Sequence, residues 1–423
     1  MMSGINTGDT AWVLMSGALV LFMTPGLAIF YGGMVRAKST LNMMMMSFAA
    51  IGVTTIIWVI YGYSIIFGKD TGSGIIGNFD HLGLNNTIDQ VVGGEGHTIP
   101  SLAFVMFQLT FAIITVALLS GAIADRAKYS SWVIFVGLWI TLVYAPIAHW
   151  AFASQGGNGG WIIDKLGALD FAGGTVVEIN SGAAALALAI VLGKREGFKR
   201  DPMRPHNMPL VLLGAGMLWF GWFGFNAGSA LGASGLAATA MINTQVATAG
   251  AAMSWLVYEK IKGGKATTLG VASGAVAGAV AITPACGFVT PLGALAIGLI
   301  GGAVSAWAVS RKYKFNYDDS LDVVGVHGVG GIVGMIAIGL IGTTAVNELG
   351  GNGLIVSGSA SLLTKQIIAV LATAAYSFIA TFIIAKVIQK TIGFRVRRDV
   401  ELEGLDTTTH AESAYDINPF TSR

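Results

Sequence analysis

Ala11-Trp-Val-Leu-Met-Ser-Gly-Ala-Leu-Val-Leu-Phe-Met-Thr-Pro-Gly-Leu-Ala-Ile-Phe-Tyr-Gly-Gly33 runs for 23 residues without a charged side chain. A helix needs about 20 apolar residues to cross roughly 30 Å of hydrocarbon, so this stretch reads as a membrane span. No Lys or Arg precedes Trp12, and the stretch is too long for the apolar region of a cleaved signal, so the helix is expected to be retained. Working outward, ten further stretches pass the same test, at approximately 42–67, 101–124, 130–152, 168–192, 208–231, 236–258, 267–283, 288–310, 323–342 and 362–390. The eighth of the eleven is the shortest. Charged residues make up 11% of the 423 and hydrophobic residues 54%; mean hydropathy is +0.71. Ordinary globular chains carry roughly 25% charged residues, and a soluble surface cannot be covered with less than half of that. The sequence predicts an all-α polytopic membrane protein, with residues 1–390 forming the eleven-helix membrane domain and 391–423 a tail.

The loop charges orient these helices. One set of loops, from Arg36 to Lys314, holds fifteen Lys and Arg; the chain from Lys386 onward adds six more, and the opposite loops hold only Lys69, Lys165 and Lys365. Cytoplasmic loops carry the excess of positive charge, which places the N-terminus outside and the tail inside. The alternation holds over eleven spans and fails if one is removed. The 59 glycines put small residues on helix faces, as at Gly270, Gly274 and Gly278, where packing in lipid needs close backbone approach. Plain packing accounts for nearly all of them.

Several function classes drop out. A net charge of +2 gives no reason to expect a nucleic-acid partner. The single cysteine, Cys286, has no disulfide partner, and no His/Cys cluster has zinc-ligand spacing,. Phosphate-loop, dinucleotide, carbonyl-filter and voltage-sensor motifs do not appear. No cofactor, bound metal or enzymatic activity is expected.

Ionisable side chains at membrane depth are costly and are functional candidates by default. Glu178, in Asp170-Phe-Ala-Gly-Gly-Thr-Val-Val-Glu-Ile-Asn-Ser-Gly182, lies about 12 Å in from the outer end of the fifth span. His327, in Asp322-Val-Val-Gly-Val-His-Gly-Val-Gly-Gly331, lies roughly 7 Å in from the cytoplasmic end of the tenth. These depths permit contact. Phe104, Phe107 and Phe111 share one helix face. In Gly221-Trp-Phe-Gly-Phe-Asn-Ala-Gly-Ser229, Ser229 falls one turn after Phe225 on its face. An aromatic ring beside a hydroxyl can hold a small cation, through the ring quadrupole and a hydrogen bond to the oxygen. Asp170 reads as a carboxylate that caps backbone amides at a helix start.

Leu21-Phe-Met-Thr-Pro-Gly-Leu-Ala-Ile-Phe-Tyr-Gly-Gly33, Asp170-Phe-Ala-Gly-Gly-Thr-Val-Val, Gly221-Trp-Phe-Gly-Phe-Asn-Ala-Gly-Ser229, Thr283-Pro-Ala-Cys-Gly287 and Val324-Gly-Val-His-Gly-Val-Gly-Gly331 together resemble the Amt/Mep branch of the Amt/Mep/Rh ammonium transporter family, from about Leu19 to Tyr415. The resemblance implies a homotrimer in the cell membrane, each subunit made of two inverted five-helix halves plus one helix, with its own pore for ammonium or ammonia. By motif, Ser229, Phe107 and an aromatic at Phe152 or Trp150 correspond to the outer ammonium site, and Phe111 and Phe225 to the gate. Asp170 and Trp222 correspond to vestibule or structural positions. His327 corresponds to the second of the family's twin pore histidines, and Glu178 stands where the first is expected, a replacement known in some fungal members. Phe152 stands where tryptophan is usual.

The implied function is capture of ammonium outside, deprotonation at the gate, and conduction of ammonia past Glu178 and His327 with separate proton transfer. The alternative is an ammonium sensor signalling through its tail. Composition alone reads that tail as solvated; the resemblance implies contacts with neighbouring subunits and a possible P-II-type regulatory partner. Arg397 and Arg398 replace residues that are often Pro or acidic there.

Overall fold

The computed structural model describes residues 4–94 and 97–415. Among the described residues the regular structure is helical, apart from a two-stranded hairpin of two-residue strands, Val91–Val92 with Ile99–Pro100. Nine of its helical segments are long and apolar enough to cross a membrane among the described residues: Thr7–Met34, Ala37–Phe67, Ser101–Ile123, Tyr129–Phe152, Gly174–Leu192, Met208–Gly228, Pro291–Phe315, Val324–Ile341 and Ser361–Thr391. Two further helices, Gly235–Gly263 and Thr268–Ile282, lie between the sixth and seventh of these. We number the eleven as spans one to eleven in chain order. They fall on the stretches expected from the sequence.

The two segments outside the set of nine differ for opposite reasons. Span seven is 29 residues long but buries Asn243, Thr244 and Thr248, which dilute its hydropathy. Span eight is apolar but only 15 residues long, about 22 Å of rise. Beyond it the chain continues as an irregular, buried segment through Thr283, Ala285, Cys286 and Val289. Non-helical backbone at membrane depth needs protein partners for its polar groups. Asn243 supplies them, donating from Nδ2 to the carbonyls of Cys286 and Val289 at 2.8 Å each.

Span one packs on span six, and span five on span ten. Span eleven lies against spans five, four and ten. It is fastened by the Ser377 hydroxyl, which donates to the Asn180 carbonyl at 2.8 Å, and by Trp139 Nε1, which donates to Thr381 Oγ1 at 2.9 Å.

On the face carrying the basic loops, the helix ends are tied by buried ion pairs. Arg195 donates to both oxygens of Asp318, from Nη2 at 2.9 Å and Nε at 3.0 Å, and Arg36 donates to Asp125 at 3.0 Å. Burial pushes the Asp318 carboxyl up, but the hydrogen bonds and charge of Arg195 outweigh it and hold the group below the usual carboxylate range. Arg126 is fully buried and donates to the Ser320 hydroxyl and the Asp318 carbonyl, both at 2.6 Å.

The tail is packed on this face, against the solvated reading that composition favours. Lys128 N donates to the Phe394 carbonyl at 2.8 Å, and Val396 N to that of Arg126 at 3.0 Å. The buried Glu401 accepts from Arg395 Nη2 at 2.7 Å and from Glu196 N at 2.6 Å. Asp406 accepts from the amides of Leu41 at 3.0 Å and Asn42 at 2.8 Å, capping span two from the far end of the sequence. Tyr415 reaches His206, Oη to Nε2 at 2.8 Å. Arg397 stays exposed beside Asp399, and Arg398 pairs with Glu196 at 3.2 Å. Residues 416–423 of the expected tail lie outside the described residues.

Removing the Asp406 carboxylate takes charge-assisted bonds from two amides, worth about 2 kcal/mol. Asp406→Ala is expected to make the tail more sensitive to limited proteolysis while the membrane helices melt within a few degrees of the parent in detergent. Equal cleavage rates count against the cap.

Candidate functional site

At the end opposite the tail, span six closes on Ser229, and span three brings Phe104, Phe107 and Phe111 beside it. With Gln108, Phe152 and Asp170 they line a cavity of about 150 Å³. The floor is aromatic. Phe111 lies 4.9 Å from Phe107, edge to face at 67°, and 4.3 Å from Phe225 at 36°. Phe111 lines the outer cavity, and Phe225 lines a second cavity beneath it. The two rings therefore separate the cavities.

Ser229 Oγ donates to the Phe225 carbonyl at 2.9 Å, which fixes the hydroxyl and leaves its oxygen as an acceptor. Phe152 lines the outer cavity, with its ring 6.3 Å from that of Phe111. Trp150 does not. Two helical steps turn a side chain through about 200°, so residues 150 and 152 face opposite ways. Trp150 Nε1 donates to the Ile75 carbonyl at 2.9 Å, and its ring packs on Tyr376 and Trp161. Of the two aromatics, Phe152 is the one in the cavity. Trp222, one turn before Phe225, sits below the paired rings and lines the inner cavity, with Nε1 donating to Thr283 Oγ1 at 2.9 Å.

Asp170 borders the outer cavity, but its oxygens are taken by the backbone. They accept from the amides of Gly173 at 2.9 Å, Gly174 at 2.6 Å and Thr175 at 2.7 Å, and from the Thr175 hydroxyl. The carboxylate holds the start of span five.

The inner cavity is about 20 Å³. A water needs roughly 10–15 Å³, so there is room for about one small molecule at a time. Its walls are mostly apolar, with Met23, Leu27 and Tyr31 from span one and Val276 from span eight. Against them stand Glu178 and His327, His327 Nδ1 lying 2.7 Å from Glu178 Oε2. One shared proton bonds the pair, whether the imidazole donates to a carboxylate or a carboxylic acid donates to the imidazole. Glu178 Oε1 is buried with no hydrogen-bond partner among the described residues.

Local backbone explains how the pair meets. Glu178 lies in a π-helical turn at Gly174–Ile179, and His327 in one at Val324–Gly328; such wide turns recur at functional positions. Spans five and ten then cross backbone to backbone. A Cβ on Gly182 would sit 2.2 Å from Gly328 Cα, and one on Gly331 2.7 Å from Glu178 Cβ. No other residue allows this approach.

Sequence reasoning did not single out Gln108 or Tyr31, nor the contribution of span one to the inner wall. The signal for span one is the close spacing of Pro25-Gly26 and Gly32-Gly33 around Phe30-Tyr31. Tyr31 packs over Gly121, where a Cβ would meet the ring at 2.6 Å.

Gly182→Ala is expected to wedge spans five and ten apart, at about 1–3 kcal/mol of overpacking, and to separate Glu178 from His327. A lower melting temperature together with a large loss of ammonium uptake is the expected result; wild-type uptake counts against the crossing as the element that brings the pair together.

Residues 11–415 match the Ammonium Transporter Family. The chain is 53% identical to an ammonium transporter of Mycobacterium tuberculosis over 432 aligned positions, covering 97% of this chain and 90% of that protein. It is 47% identical to ammonium transporter Amt1 of Archaeoglobus fulgidus, with 97% and 100% covered. The crystal structure of Saccharomyces cerevisiae Mep2 superposes with a TM-score of 0.85 at 32% identity, covering 94% of this chain and 89% of that one. The paired rings, the two cavities and the buried carboxylate–imidazole pair thus sit in a chain that belongs to the ammonium transporter family.

Proposed function

We propose that the protein captures ammonium at the outer cavity, strips its proton at the Phe111/Phe225 rings, and passes ammonia through the inner cavity while the proton moves separately along Glu178 and His327. The observation that carries this reading is the division of the path by two rings 4.3 Å apart, with a titratable pair immediately beneath them.

The reading follows from solvation. An ammonium ion leaving water for an apolar cavity forfeits far more hydration free energy than neutral ammonia does. Before that step it can be held by the faces of Phe107 and Phe152 through their quadrupoles and by the Ser229 oxygen as hydrogen-bond acceptor. Potassium matches ammonium in charge and size but donates no hydrogen bond, so the hydroxyl discriminates where charge alone does not. Below the rings, Glu178 and His327 share one hydrogen bond, so an incoming proton displaces the shared one instead of meeting an isolated charge. Net charge then crosses with each ammonia.

The loop charges support a cell-membrane protein with the tail in the cytoplasm, and the family supports a trimer whose tail is available to a P-II-type partner. Packing of the tail against the loops before spans two, four and six supports transport being sensitive to that tail, and favours a transporter over a separate sensor.

Solid-supported-membrane currents from purified protein test the reading, with ammonium or potassium jumps at several pH values. Ammonium is expected to evoke current and potassium little or none; equal responses would refute the deprotonation step. Ser229→Ala removes a bond to a charged ligand worth about 1.5–3 kcal/mol, so half-saturation is expected to rise about tenfold to a hundredfold. An unaltered concentration dependence removes Ser229 from the site. Glu178→His is expected to keep transport and shift its pH profile, and an unmoved profile is evidence against Glu178 in proton transfer.

A further inference from the structure

We propose that Asp319 positions His327: ionised, it fixes the first turn of span ten, and protonation from the cytoplasmic side releases that turn. The inference rests on the reading of Glu178 and His327 as the transfer pair.

The two pore groups have matching upstream carboxylates. Asp170 lies eight residues before Glu178, and Asp319 eight before His327. Each accepts from amides at the start of its span, Asp319 Oδ2 taking the Val324 N–H at 2.8 Å. The π-helical turn that begins there contains His327, so the bond at Val324 sets where the imidazole stands, three residues on.

The two caps are unequal. Both Asp170 oxygens are occupied, by three amides and a hydroxyl. Asp319 is 1% exposed, yet its Oδ1 is buried with no hydrogen-bond partner among the described residues. A half-satisfied buried carboxylate is poorly compensated for its charge and is the more readily protonated of the two.

The groups facing it agree. Lys312 of span nine, the nearest cation, donates from Nζ to the Asp319 carbonyl at 2.9 Å but gives its charge to the Asp322 carboxylate. Arg126, from the turn after span three, aims its Nη1 and Nη2 at the carbonyls of Ala122, Ala124 and Asp318 and at the Ser320 hydroxyl. Tyr317 adds no charge, and Tyr31 of span one lines the inner cavity together with Asp322. Burial pushes the Asp319 carboxyl up to about 6, opposed by the charge of Lys312, assisted by that of Asp322, and opposed again by the amides of Val324 and Val323. Proton uptake therefore falls within reach of an acidifying cytoplasm. A protonated Asp319 loses its attraction to Lys312 and accepts only a neutral, weaker bond from Val324. The turn loosens, and the 2.7 Å approach of His327 to Glu178 goes with it. Cytoplasmic acid would thus slow the transporter at its inner half.

The test is ammonium-evoked current in voltage-clamped cells expressing the full chain, with external pH fixed and cytoplasmic pH set through the pipette. Between pH 7.5 and 5.5 the wild-type current is expected to fall roughly fourfold, the loss of ionised Asp319 for a group titrating about 6. Asp319→Asn keeps an acceptor for Val324 but carries no titratable proton; its current is expected to be flat across the window, with half-saturation by external ammonium unchanged. Lys312→Met, which removes the charge that opposes protonation, is expected to move the midpoint to higher pH. A wild-type-like profile in Asp319→Asn, an unmoved midpoint in Lys312→Met, or no wild-type response in the window overturns the proposal while leaving the transport reading intact. No ammonium current from the wild type at any pH overturns both.

Discussion

The close backbone approach of Gly182 to Gly328 is the contact on which the rest of the structure turns. In hydrocarbon no water is present to pair a stray polar group, so a carboxylate and an imidazole at membrane depth must find each other or stay uncharged. Two spans that touched through larger side chains would hold Glu178 and His327 too far apart to bond. Because they touch through glycines, His327 Nδ1 reaches Glu178 Oε2 at 2.7 Å. The wide turns at both residues, the carboxylates that start those turns, and span eleven bound to the back of span five through Ser377 all serve to keep that crossing in place.

Above the crossing, a different physical rule governs. The outer cavity has aromatic faces and a hydroxyl, suited to a cation that still keeps part of its hydration. The inner cavity is narrow and largely apolar, and suits a neutral molecule. Two phenylalanine rings mark the change of environment. In the proposed mechanism it is the energy difference between those environments, and not a charged barrier, that separates a protonated from a deprotonated nitrogen.

Much of this was legible in the sequence, because membrane solvation leaves few alternatives: a stretch such as Ala11–Gly33 has no stable state but a span. The positions of Glu178, His327, Phe111, Phe225 and Ser229 followed from helical periodicity and from resemblance. What periodicity could not give was facing over short intervals. Trp150 and Phe152 differ by two residues and point opposite ways, and Trp222 lies a turn deeper than its neighbours in the motif suggest. Composition alone misses the packing of the tail for a related reason. Composition reports average polarity, whereas Glu401 and Asp406 are buried because specific amides await them in loops distant in sequence. Span eight fell short because Asn243, on another helix, supports the irregular chain that completes its path.

Cys286 belongs to that supported segment and is fully buried, its carbonyl held by Asn243. As the chain's one thiol, it is shielded from aqueous reagents. A cysteine introduced at any exposed position would therefore be labelled alone, with no need to delete the native residue first, and pairs of such labels could report distances between spans in an otherwise unaltered protein.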